Sequence, residues 1–341
     1  MPLLPDRCPN PQCGSRSGAP FQLRRRGTFV RRCDQKRVQR FLCLTCKRGF
    51  SEQTLSLDYR LKRPELLARF FFDRVSKVTH RQSARIQGCS RTTEERHFLR
   101  LAGHCAAFHR WRLDQAIPRA GGLGEIFLLD ELETYEHHRK LKPVTVPVLI
   151  ERESYFVVDV RVGALGPRGN RTPKEERTLA VHRAREGVRK SESARVVREC
   201  FGRLRETAPK GRPLCVLTDK KESYVAILRK TFGERCVHLR TSSKDRRDTR
   251  NPLWRINHTL ARMRDGLSRL VRETWAASKK RRRLALDLAI WIAWRNYVRG
   301  RTNHEPHRTP AMALGVEARR WSHTELLQHR IPDAAGPLAA A

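Results

Sequence analysis

Acidic residues are scarce in this chain: 35 Asp and Glu stand against 72 Lys and Arg in 341 residues, a formal net charge of +37. Such an excess repels itself unless a polyanion neutralises it, so nucleic acid is the expected partner, although charge alone does not separate DNA from RNA. Long apolar runs are also lacking. The best, Leu284 to Trp294, carries Asp287 in its middle and falls short of the roughly twenty residues needed to cross a bilayer, so it reads as a buried helix. The opening Met-Pro-Leu-Leu-Pro-Asp-Arg has no apolar core of signal-peptide length, so the ten cysteines are expected as thiols in a reducing compartment and not as a disulfide framework. No internal repeat stands out. A hydrophobic content of 39% still permits two or three domains with at least one sizeable core.

Four of those cysteines fall in two pairs, Cys8-Pro-Asn-Pro-Gln-Cys13 and Cys43-Leu-Thr-Cys46, with Pro, Gly and Phe50 around them. Thiolates three to five residues apart on tight turns share one ion, and two such knuckles close a tetrahedron with no open position, so a structural zinc ion is expected. The stretches 21–30 and 38–42 between the pairs suit the strands of a long hairpin. Cys33 inside that insert is the weaker ligand candidate, beside Arg31 and Arg32.

After this ribbon, Pro64 opens a helix to Val75, a second short helix follows over 79–87, and Gly88-Cys89-Ser90 turns the chain into a third with Ser90 as its cap. This is helix-turn-helix grammar, in which the first residues of the second helix face the major groove: here Arg91, Thr92, Thr93 and Arg96. The Gly-rich 119–124 segment marks a boundary, beyond which strands are expected at 125–130, 144–150 and 155–162. A charged excursion over 166–190, a helix near 192–205, a strand at 213–218, a helix at 224–232, a strand at 235–240 and a long amphipathic helix from Ile256 complete the pattern. That element order is the order of a ribonuclease H-like α/β domain, a mixed sheet with flanking helices.

Asp130 is read at the end of the first strand and Asp219 at the end of the fourth, on strands that are neighbours in this topology. Two carboxylates that close repel unless a cation sits between them, so a Mg²⁺ or Mn²⁺ site for phosphodiester displacement is the natural use. Strand alternation aims Glu131 away from Asp130. Arg262 and Arg264 on the long helix are candidate phosphate contacts, while Asn257 and His258 read as packing or supporting groups.

Taken together, the cysteine pairs, Asp130-Glu-Leu-Glu-Thr134, Leu217-Thr-Asp219 and the helix from Ile256 to Leu270 resemble the DDE transposases of bacterial insertion sequences that carry a zinc ribbon and helix-turn-helix, the insertion-sequence-one type and its relatives. The resemblance runs from Cys8 to about Val298. It implies Mg-dependent cleavage and strand transfer at transposon ends by a homo-oligomer on double-stranded DNA inside the bacterial cell, with Asp130 and Asp219 as the first two acids. The third acid of that family, a Glu three residues before an Asn on the long helix, falls on Trp254 here, and a tryptophan holds no metal. Asp265 lies about 16 Å further along the helix axis; Asp248, Glu222 and Glu133 are other substitutes. The resulting division is a ribbon (1–56), a helix-turn-helix region (57–118), a ribonuclease H-like domain (119–300) and a tail (301–341). The alternatives are a transposase-derived DNA-binding protein that has lost cutting, and an RNA-binding factor.

Overall fold

A computed structural model describes residues 4–242, 244–246, 248–273 and 275–331. The described chain divides into two compact units, one formed by 4–72, 80–111 and 322–331, the other by 73–79 and 112–321. The final part of the C-terminal tail, 332–341, lies outside the described residues. No described helix is long and apolar enough to cross a membrane.

In the first unit, strands β1 (Leu23–Val30), β2 (Arg37–Cys43) and β3 (Gly49–Ser51) form an antiparallel meander. The register of β1 on β2 slips between Arg25 and Thr28, where Gly27 takes the left-handed conformation (φ 72°) that a bulge requires. Phe41 and Phe50 pack at 5.6 Å between ring centroids over the buried cysteines. Helices α1 (Leu66–Val75), α2 (His80–Ile86) and α3 (Arg91–Ala120) follow, the last residues of α1 and of α3 falling in the second unit. Gly88 (φ 58°) turns the chain between α2 and α3, and the Ser90 hydroxyl accepts the Thr93 N–H at 3.1 Å, as the cap position required. Leu66, Phe70, Phe71, Phe98, Leu101, Cys105 and Phe108 fill the helical core. His104 donates from Nε2 to the Leu326 carbonyl at 2.7 Å.

The second unit is mixed α/β. Strands β4 (Ile126–Tyr135), β5 (Pro143–Glu151), β6 (Val157–Val160) and β7 (Gly163–Ala164) precede α4 (Pro173–Glu186) and α5 (Ser193–Thr207). Then come β8 (Leu214–Asp219), α6 (Glu222–Phe232), β9 (Cys236–Thr241), α7 (Trp254–Gly266), α8 (Arg281–Ala293) and α9 (Pro310–Ala313), while α10 (His323–Gln328) belongs to the first unit. The sheet runs β6-β5-β4-β8-β9 with β7 beside β5; β5 is antiparallel to β4, whereas β8 is parallel to both β4 and β9. Every residue of β5 is buried, as a central strand covered on both faces must be. Glu131 meets the first residue of α5 and Tyr224 of α6 on one face, and Asp130 shares a cavity with Asn257 of α7 on the other.

Three expectations needed revision. Asp130 does not end its strand: β4 continues through Tyr135, because β5 pairs with it over nine residues, from Phe127↔Glu151 to Tyr135↔Pro143. The charged 166–190 stretch holds a helix of its own, α4, nucleated by a capping box in which Thr172 and Glu175 satisfy each other's backbone N–H. The long helix is shorter than its apolar stripe suggested. It stops at Gly266, and Leu267 and Leu270 are buried from a separate 3-10 turn. Residues 294–298, after α8, form a single π-helical turn that buries Arg295, Asn296 and Tyr297.

Candidate metal centres and nucleic-acid surfaces

The four sulfurs of Cys8, Cys13, Cys43 and Cys46 lie within 4.8 Å of one another. Cys8 and Cys46 are 3.6 Å apart and Cys13 and Cys43 3.7 Å. Tetrahedral coordination at a Zn–S length of about 2.3 Å demands sulfur separations of about 3.8 Å, so the cluster is sized for zinc. Burial pushes the Cys8 thiol up to about 12, while the Arg48 backbone N–H brings Cys46 down to about 6. A cation binding there displaces the remaining thiol protons. Cys33 is exposed and outside the cluster.

Asp130 and Asp219 come to one cavity. The parallel pairing runs Ile126↔Cys215, Phe127↔Val216, Leu128↔Leu217, and two more residues along each strand bring Asp130 beside Asp219 on the same face. Both line a cavity of about 50 Å³ together with Ser242, Asp245, Asn251, Leu253 and Asn257. The Asp130 carboxylate accepts the Glu131 N–H at 2.7 Å and that of Asp219 accepts the Lys221 N–H at 3.1 Å. Burial first, and then the charges of Glu131, Asp219 and Asp130, hold the Tyr224 phenol far above its ordinary value.

The third carboxylate on this cavity is Asp245, from the polar loop before α7. Trp254 does open α7, but it is not among the lining residues; its ring stacks on His258 at 6.2 Å. The anticipated substitutes are engaged elsewhere. Glu133 pairs with Arg168, Glu222 with Arg240, Asp248 with Arg246 at 3.5 Å and Asp265 with Lys77 at 3.9 Å. Oxygen donors from carboxylates and amides suit a hard divalent cation. Among the described residues, however, the four cysteines are the only group of three or more His, Cys, Asp or Glu placed closely enough to share one ion; the three aspartates do not form such a group.

Of the candidate DNA contacts, Arg91, Thr92 and Arg96 are exposed on the first turns of α3, while Thr93 is half-buried with its hydroxyl 3.0 Å from that of Ser90. Arg262 and Arg264 are half-buried, and Arg262 donates to Asn303 at 3.3 Å. Arg255 and Arg269, on the same stretch, are held by Glu153 and by the buried Asp287.

No family model matches the chain, and no curated protein matches it. Among solved structures it is similar to the crystal structure of a pre-cleavage Mos1 transpososome, at 12% identity over 66% of this chain and 73% of that one, with a TM-score of 0.22. A likeness that slight assigns no role to any residue.

Proposed function

We propose that this chain is a zinc-ribbon DNA-binding protein whose mixed α/β unit, of ribonuclease H-like type, carries out divalent-metal-dependent phosphodiester chemistry of the DDE transposase kind. Asp245 stands in for the missing Glu. The observation that carries this reading is the meeting of Asp130, Asp219 and Asp245, from β4, β8 and the loop before α7, on one small polar cavity. Asp130 and Asp219 would hold Mg²⁺ or Mn²⁺ between two strands, with Asp245 completing the charge from a loop and the Asn251 and Asn257 amides offering neutral oxygens. A cation bound there supplies neutralisation of the phosphodiester charge and an acidified attacking hydroxyl. The chain's own part is to fix the acids: the parallel register sets Asp130 against Asp219, and the Lys221 N–H orients the latter. The DNA is double-stranded and is held by the first turns of α3, with Arg262 and Arg264 as further contacts. Cutting and joining at two ends further implies a homo-oligomer on the DNA.

The experiment is nicking of supercoiled DNA carrying the sequences that flank the gene, with Mg²⁺ or Mn²⁺. Asp130→Ala, Asp219→Ala and Asp245→Asn are each expected to lower the rate by about a hundredfold or more, equivalent to roughly 3 kcal/mol of lost transition-state stabilisation; Trp254→Ala stays within a fewfold of the parent. Equal nicking by the parent and the Asp variants would refute the assignment. The spacing of the three aspartates favours one second reading, a transposase-derived DNA-binding protein without catalysis. Undiminished DNA binding with no metal-dependent nicking under any condition selects it.

A further inference from the structure

The zinc ribbon carries a groove of about 1010 Å³, walled by the β1–β2 hairpin, both cysteine knuckles and the segment 53–62. Its charged lining is cationic throughout: Arg26, Arg32, Arg40, Arg48, Arg60 and Lys62, with Arg31 beside them. Arg31 is committed, bonded to Asp58 at 2.7 Å and to Asp34. The other six are exposed, and among the described residues none has a carboxylate within 4.0 Å. Six unneutralised cations around one concavity repel one another, an arrangement that becomes favourable when anions fill the space.

We propose that this groove binds the phosphate backbone of duplex DNA. The inference rests on the nucleic-acid reading above and adds a binding surface distinct from Arg91, Thr92, Thr93 and Arg96. Two details choose backbone over unpaired bases. Of the four aromatic rings on the groove, Phe41 and Phe50 are buried, and Phe29 and Tyr59 each carry a guanidinium over one face, Arg40 at 4.9 Å and Arg60 at 5.2 Å, which leaves little room for a base to stack. The hydroxyls of Ser51 and Thr54, also on the wall, are spent on each other and on the Ser51 N–H. Apart from the amides of Asn10 and Gln53, what meets a ligand is mostly positive charge at the ends of long side chains, the chemistry that reads phosphates more than base edges.

The test uses the full-length, zinc-loaded protein, a fluorescein-labelled duplex of random sequence and anisotropy titrations across a range of NaCl without magnesium. Combined substitution Arg26→Gln, Arg32→Gln, Arg48→Gln and Lys62→Gln spares the two arginines stacked on rings. It should reduce the steepness of log K against log salt by about 3 to 4, at roughly 0.9 for each phosphate that is no longer neutralised. Single substitutions Arg48→Gln and Lys62→Gln, each verified for one zinc per chain, should each remove about 0.9. A single strand of equal length should compete no better than the duplex. An unchanged slope in zinc-replete variants, or tighter binding of the single strand, overturns the groove assignment. Because the assay reads no cleavage, that failure leaves the aspartate site standing, whereas absence of DNA binding by the parent protein would instead overturn the nucleic-acid reading.

Discussion

Replacing Glu131 by alanine tests how the sheet holds the acids in place. The Glu131 carboxylate, 9% exposed, lies on the face of β4 opposite Asp130 and accepts hydrogen bonds from Thr145 at 2.5 Å, Ser193 at 2.8 Å and Tyr224 at 2.7 Å, and from the Lys221 ammonium. Lys221 lies in the turn that follows Asp219 and Tyr224 in the first turn of α6, so one buried carboxylate ties β4 to the segment just after the second acid. In Glu131→Ala the Lys221 side chain, 40% exposed, returns to water at little cost. The Tyr224 and Thr145 hydroxyls are buried and cannot. At about 1–3 kcal/mol for each of these two buried donors left unsatisfied, the loss is about 2–6 kcal/mol. That corresponds to amide exchange in β4 and α6 accelerated by about one and a half to more than four powers of ten, read by hydrogen–deuterium exchange of peptides from this unit. Burial by itself would raise the Glu131 pKa, but the bonds from Lys221, Thr145 and Tyr224 outweigh it and hold it below the ordinary value of 4.5. The stabilisation is therefore complete above pH 4.5 and is lost as pH falls through the lower native value. Exchange in Glu131→Ala within threefold of the parent would refute the clamp.

Two further outcomes follow from the first unit. Stripping zinc with a chelator, or Cys13→Ser, should unfold the ribbon and leave the β4–β9 sheet intact; limited proteolysis confined to the first 60 or so residues checks it, and an equally protected ribbon would exclude a structural metal. His104, buried with its Nε2 on the Leu326 carbonyl, has its pKa lowered to about 4, by burial and then by His329. The unfolded chain takes up this proton near 6.5 and the folded unit only near 4, so stability is full above 6.5 and falls by up to about 3 kcal/mol as pH drops to 4. His104→Gln should flatten that pH dependence in thermal melts; an unaltered slope would show that other groups cause it.

The parts legible in the sequence are those where a local rule and the tertiary environment agree. The thiol pairs needed only turn residues and spacing, and the 3.6 and 3.7 Å sulfur separations follow from two knuckles facing each other. Ser90 before Thr93 is a cap whatever surrounds it. The alternation of Asp130 and Glu131 across β4 is equally local, and it put the first acid on the α7 face and the second residue on the α5 face. Boundaries were lost where pairing partners decide. Glu131, Glu133 and Thr134 look like the end of a strand, yet nine paired residues of β5 keep β4 extended to Tyr135. In the other direction, Leu267 and Leu270 continue the apolar spacing of α7, but Leu267 takes an extended conformation (φ −119°, ψ 112°) and ends the helix.

The proposed third acid, Asp245, shows why a site is harder to read than a fold. Asp130 and Asp219 are tied to strands, and strand register carries them to each other. Asp245 sits in a loop of Ser, Lys, Arg and Asp, where an acidic residue most often serves only turn chemistry, and no periodicity marks the one that lines the cavity. Its neighbour Asp248 does serve such a turn, accepting the Arg250 N–H at 2.9 Å. What singles out Asp245 is three-dimensional: its loop joins the edge strand β9, which lies beside β8, to α7, whose Asn257 lines the same cavity. A loop anchored at both ends beside Asp219 and Asn257 can deliver a carboxylate from several of its positions. On the proposed reading, that freedom would let position 254 carry a tryptophan while three aspartates line the cavity.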